Sequence, residues 1–349
     1  MNTRKVLFTD GEGPIVTNDF ALDVTSTIDK NLFLLLSAYD DYLSVHGPDE
    51  YQAGDTLALI IPLFISHGVT DAKMKKIAQH ARLTPGVVQC VRKLRHDEWN
   101  IRIISTAYTY LWETVGAHLN IPHMDIASTD LQLDKLHRQF STKKIMNVIT
   151  ETEKDIKSMT PSCLRMLNSE GTNSSTIDLF MNNESCIFLR KRLDRFFWKD
   201  LPDAGLEILS AIHVIGGKRK VEAAERFARQ LKVTLKDVIY IGDSITDVEL
   251  FQAINRAGGL SIAINGNHYA LEAAKVAVST PNMEFLIPLL NAWIKGGNDA
   301  VSSFIQKQSK HSDAHFVRVN PQNKSLFNSL VARHTKMRKI IRADAAVLG

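Results

Sequence analysis

The stretch Lys5-Val6-Leu7-Phe8-Thr9-Asp10-Gly11-Glu12-Gly13-Pro14 reads as a short apolar strand that ends abruptly in carboxylates. Far downstream, Val238-Ile239-Tyr240-Ile241-Gly242-Asp243-Ser244-Ile245-Thr246-Asp247 has the same form. Short apolar runs bounded by turn residues are the pattern of strands buried on both faces. Two such strands place their acidic tips side by side at one edge of a parallel sheet, where open α/β sheets bind ligands. Hard oxygen ligands gathered at one point suit Mg2+ and phosphate chemistry.

Working outward, Asn100 to Thr106 reads as another strand, ending in two hydroxyls. Leu260 to Ile264 and Val276 to Val278 read as two more. An extended run at Ala211 to Gly217 precedes a helix with Val221, Ala224, Phe227, Ala228 and Leu231 on one face. Thr84-Pro85-Gly86 reads as a helix start with Thr84 as N-cap. Strands alternating with helices imply βαβ units and an α/β, doubly wound parallel sheet.

Four sets of residues on this frame carry chemistry. Asp10 can attack phosphorus, and Glu12, two residues on, can give a proton to a leaving oxygen and take one from water. The alternative is a strand followed by an acidic turn. Ser105 and Thr106 can hydrogen-bond a phosphoryl oxygen, although such hydroxyls also end strands and cap helices. Lys218 or Lys220, at a helix start, can neutralise charge on the nucleophile and the phosphoryl group. At least one of the two belongs to a solvated basic turn. Asp243 can ligate a metal and Asp247 can support it or hold the lysine, or act as a helix N-cap.

In this order the four pieces resemble the haloacid dehalogenase superfamily, in its phosphoserine-phosphatase-like branch. The matching motifs are Asp10 and Glu12, then Ser105, then Lys220, then Asp243 and Asp247, and the resemblance covers residues 5–16, 85–125 and 210–280. Lys220 is preferred to Lys218 for its distance to Asp243, and Gly259 to Asn267 also looks like that branch. The resemblance implies a Rossmann-like core with inserted caps. It implies Mg2+ held by Asp10, the Glu12 carbonyl and Asp243, with Asp247 beside them. It also implies Mg2+-dependent hydrolysis of a small phosphomonoester through an aspartyl-phosphate, with Ser105, Thr106 and Lys220 on the phosphate. Glu12 departs from the usual Asp. The Asp-x-Glu-Gly-Pro form resembles certain archaeal members. Its extra methylene displaces the proton by about 1 Å, a misplacement that costs about 10²-fold in rate.

The expected organisation is a core from 1–16, 85–145 and 200–290, a helical cap at 17–84, an insertion at 146–199 and a basic, helical extension at 291–349. The net charge of +4 over 349 residues does not indicate a polyanion-binding role. The basic stretch Arg333 to Arg342 reads as a solvated amphipathic helix, and Arg190 to Lys199 as a cap helix burying its aromatics, so nucleic acid is not an expected partner. Cys90, Cys163 and Cys186 have neither disulfide nor metal spacing. Together with the absence of a signal-peptide pattern, this gives a cytoplasmic expectation. The most apolar stretch, Thr56 to Ile65, is too short for a membrane span and reads as a buried helix. Two rival functions remain: phosphoryl transfer as in mutases, and a non-catalytic binding or regulatory protein on the same fold.

Overall fold

The computed structural model describes residues 4–167, 176–307 and 313–347. Residues 168–175, whose Asn, Ser, Gly and Thr read as a loop within the expected insertion, lie outside them. The chain forms two compact units. One holds the chain up to Asp19, His80–Ser128 and Ile215–Val347; the other holds Phe20–Gln79 and Thr129–Val214.

The first unit is built on a seven-stranded sheet. Its strands are β1 (Val6–Thr9), β2 (Asn100–Tyr108), β3 (Ile126–Thr129), β4 (Val238–Gly242), β5 (Leu260–Ile264), β6 (Val276–Ser279) and β7 (His315–Arg318). Their order is β3-β2-β1-β4-β5-β6-β7. β1 pairs in parallel with both β2 and β4, as β4 does with β5 and β5 with β6, while β7 closes the edge antiparallel to β6. The chain runs outward from β1 to β2, then returns to the other side of β1 for β4. That reversal opens a crevice at the carboxyl ends of β1 and β4, where doubly wound sheets bind their ligands. The register puts Thr9 beside both Ile103 and Ile241, so Asp10, Ser105 and Asp243 emerge at one level.

The apolar runs behave as their composition requires. Every residue of β1, β4, β5 and β6 is buried. Phe8, Tyr240, Phe227, Phe251, Ile254 and Leu271 fill the space between the sheet and its helices. Burial of that many large side chains, at roughly 25 cal/mol per Å² of apolar surface, holds the layers together.

Several local readings are corrected. No strand forms at residues 212–216; Ile208–Ala211 is a helical turn and an extended connection follows. It pairs with none of the seven strands of the sheet. Thr84 is not an N-cap. The helix starts at Val87 after Gly86, whose φ of 75 supplies the turn, and the Thr84 hydroxyl instead donates to the Gly13 carbonyl at 3.0 Å. β2 runs two residues beyond Thr106.

The second unit is helical. Its longest helices are Lys30–His46, Lys143–Leu167 and Glu184–Arg195. Tyr39 stacks on Tyr42 and Phe197, and its hydroxyl donates to Asp194 at 2.5 Å. Phe196 and Phe197 are buried, as expected of a cap helix. The structure groups the stretch 129–214 with 20–79, whereas 291–347 belongs with the sheet. Among the described residues no single helix is long and apolar enough to cross a membrane; the bent pair Thr56–Ser66 and Asp71–Ala78 passes by length and composition. The three cysteines are free and buried.

Candidate active site

Asp10 is the first residue past β1, and its amide donates to the Ile241 carbonyl at 2.7 Å. That bond extends the β1–β4 ladder by one step and fixes where the carboxylate emerges. Gly11 and Gly13 then turn the chain back on itself, with the Gly13 amide donating to the Val16 carbonyl at 2.7 Å. Gly13 has φ +95, and a Cβ there would lie 2.4 Å from Asp243 Oδ2. Only glycine brings this backbone so close to the acidic tip of β4.

Lys220 occupies the first turn of the Lys218–Gln230 helix and is wholly buried, whereas Lys218 is exposed. Its ammonium lies 3.0 Å from Asp10 Oδ1 and 2.7 Å from Asp247 Oδ1. Tyr240, on β4, donates to the same Asp247 oxygen at 2.5 Å. Asp247 Oδ2 accepts the amides of Asp243 and Ser244 at 2.8 and 3.0 Å. Asp247 thus fastens the lysine and at the same time caps the turn after β4, combining two of the roles its position allowed.

Burial raises the Asp10 carboxyl to about 7; Lys220 pulls it down, while Asp247 and Asp243 push it up. Burial disfavours charge on Lys220, but Asp10 and Asp247 outweigh it and raise the lysine above its ordinary value. Ser105 is fully buried on β2, and its oxygen accepts the Ala107 amide at 3.2 Å. Thr106, the next residue along the strand, is half-buried, as is Glu12.

The feature that sequence reasoning missed comes from the C-terminal helix, Lys324–Arg342. Arg338 and Arg342 are buried, and both donate to Asp243 Oδ2, Arg342 at 2.9 Å. Arg338 also donates to the Asp243 main-chain carbonyl at 3.2 Å. Burial works against charge on Arg342, but Asp243, then Asp19, Glu12 and Asp10, hold it charged. The expected solvated basic helix is therefore half inverted: it buries two arginines and exposes Ile340. A signal was present. Leu330, His334, Arg338 and Arg342 recur every four residues, which is one face of a helix.

Oxygens of Asp10, Asp243 and Asp247 lie within 4.8 Å of one another, a grouping that invites a cation. The donors do not fit Mg2+, which demands a near-octahedral shell of oxygens. Asp247 already accepts four hydrogen bonds, which fills its lone pairs. Asp243 Oδ2 faces two guanidinium groups. Asp10 Oδ1 and Asp243 Oδ1 are both buried without a hydrogen-bond partner, Asp10 Oδ1 lying 3.0 Å from the Lys220 ammonium, so one oxygen on each acid is all that is left for a cation.

The sequence profile of the haloacid dehalogenase-like hydrolases matches residues 68–284, more than half of the chain, and the protein belongs to that family. Asp10 and Glu12 precede the matched span. Among solved structures, the AF1437 gene product of Archaeoglobus fulgidus superposes with a TM-score of 0.78 at 22% identity, covering 99% of both chains. A phospho-aspartyl intermediate analogue of phosphoserine phosphatase superposes with a TM-score of 0.50 at 11% identity, over 82% of this chain and 98% of that one. Both similarities concern the fold. No curated protein sequence matches the chain.

Proposed function

We propose that the protein hydrolyses a small phosphomonoester at Asp10. The observation that carries this reading is the buried Lys220 ammonium held between Asp10 and Asp247, which joins three of the four sequence motifs at one point.

In the first half-reaction an Asp10 carboxylate oxygen attacks phosphorus. The bond from phosphorus to the ester oxygen breaks, and Glu12 gives that oxygen its proton, releasing the alcohol. The enzyme is left with an aspartyl-phosphate. In the second half-reaction water attacks the same phosphorus and gives a proton to Glu12. Inorganic phosphate leaves and the Asp10 carboxylate is restored. Lys220 favours the ionised form of Asp10 against its burial and faces the charge that develops on the phosphoryl oxygens, while Ser105 and Thr106 donate to them. Glu12 has the reach of a longer side chain, and the loop closed by Gly13 and Thr84 sets where it starts.

The test is release of phosphate from an aryl phosphate and a panel of phosphometabolites, with Mg2+, which the family resemblance implies, and with EDTA. Asp10→Asn is expected to abolish turnover, and Glu12→Gln to lower kcat by about 10²-fold or more. Undiminished hydrolysis by Asp10→Asn would refute the assignment.

A further inference from the structure

We propose that Arg338 and Arg342 stand in for the divalent cation, so that the site, on the phosphatase reading above, works without a metal. The charges on the page carry this. Three fully buried carboxylates meet here, Asp10, Asp243 and Asp247, and three fully buried cations meet them, Lys220, Arg338 and Arg342. With all three acids ionised and Lys220 alone, the buried cluster would hold two uncompensated negative charges, which is what a divalent ion would balance. The two arginines supply that amount. A buried charge persists only when it is paired and hydrogen-bonded, and a guanidinium meets a carboxylate with fixed, planar donors.

The arginines also occupy the right place. Both address Asp243, the acid at the tip of β4. A cation held by Asp10 and Asp243 would have only Oδ1 of Asp243, beside two guanidinium groups already on Oδ2. Like charges at such range repel strongly in a dry site.

The helix that brings them is seated along its length. Leu330 lies in the sheet's apolar layer. The Gly266 amide donates to His334 Nδ1 at 3.1 Å. Arg338 Nε donates to the Ala346 carbonyl at 3.0 Å and Arg342 Nε to the Thr17 carbonyl at 3.3 Å. These ties make the arginines part of the unit's core. They act through Asp243 and are positioning residues.

The experiment titrates the full chain with Mg2+ alone by isothermal calorimetry. Wild type, Arg338→Gln/Arg342→Gln and Arg338→Lys/Arg342→Lys are compared, each checked by near-ultraviolet circular dichroism. Wild type is expected to show no saturable Mg2+ uptake. The double glutamine variant should gain a site about 10²-fold tighter or more, since two opposing charges are gone, and the double lysine variant should not. Phosphate release by wild type should persist in EDTA. Saturable submillimolar uptake by wild type would overturn the proposal, as would hydrolysis lost in EDTA, or a folded glutamine variant that still ignores Mg2+. If the double variant does not fold, wild type and Arg342→Gln alone decide by the same criteria. Should no compound be hydrolysed under any condition, the phosphatase reading fails, while the Mg2+ titrations still judge the arginines.

Discussion

Replacing Lys220 with methionine removes one charge and little volume from the centre of the buried cluster. At an effective dielectric of about 20, ammonium–carboxylate contacts of 3.0 and 2.7 Å correspond to roughly 5.5 and 6 kcal/mol of gross attraction. Much of this offsets the cost of taking three charges out of water. What remains is the penalty for leaving two carboxylates without their cation, about 3–5 kcal/mol. The loss should depend on pH. In wild type, burial raises Asp10 to about 7, against the downward pull of Lys220 and with upward pushes from Asp247 and Asp243. Without the ammonium the folded state keeps that proton to higher pH, while the unfolded chain releases it near the ordinary value of about 4. The folded variant then binds more protons than its unfolded chain across a wider window, so its stability continues to fall as pH rises beyond 7. Urea unfolding followed by the fluorescence of Trp99, Trp112 and Trp293, all in the sheet unit, measures this at pH 6 and pH 9. A larger loss at pH 9 is expected. A loss below about 1 kcal/mol at pH 9 would refute the reasoning, since it falls in the range of an exposed pair. So would the same loss at both values.

Two further outcomes follow from the geometry. Gly13→Ala forces a residue with a Cβ into φ +95 and against Asp243 Oδ2, so a stability loss of about 1–3 kcal/mol is expected in the same unfolding assay; unchanged stability would contradict the close approach. Burial, with His315 and Arg333, lowers His334 to about 3, so the unfolded chain takes up a proton below about pH 6.5 that the folded chain refuses. Stability should therefore fall by up to about 1.4 kcal/mol per pH unit between about 6.5 and 3, and His334→Gln should flatten that slope; parallel slopes in the two proteins would count against it.

The acidic half of the site was legible because its signals are local. A strand, a carboxylate and a glycine adjoin in the sequence at Asp10 and at Asp243, and Lys220 opens an amphipathic helix. The strands that could be read, β1, β2, β4, β5 and β6, are apolar runs buried in the sheet. β3 and β7 were not, for an edge strand needs no continuous apolar run: His315–Arg318 begins with a histidine, ends with an arginine and is only half-buried on average. The basic half was hidden by distance. Arg338 meets Asp243 across 95 positions and Arg342 across 99. Nothing local couples them, and a basic helix with exposed Ile340 resembles any surface helix when its partner is out of sight. Tyr240 was read only as part of an apolar strand, because alternation along β4 does not tell which buried ring ends at a carboxylate.

The long separation between Asp243 and its arginines also bears on the order in which the protein is made. A ribosome delivers Asp10 first, Lys220 and Asp247 much later, and the arginines later still. Until Arg338 has emerged, a nascent chain can form most of the sheet but has only one of the three buried cations for three acids. The acids of such an intermediate must stay hydrated or take up protons. Docking of the last helix then expels that water and locks the carboxyl ends of β1 and β4, so the acidic cluster of the sheet unit is among the last places to settle during synthesis.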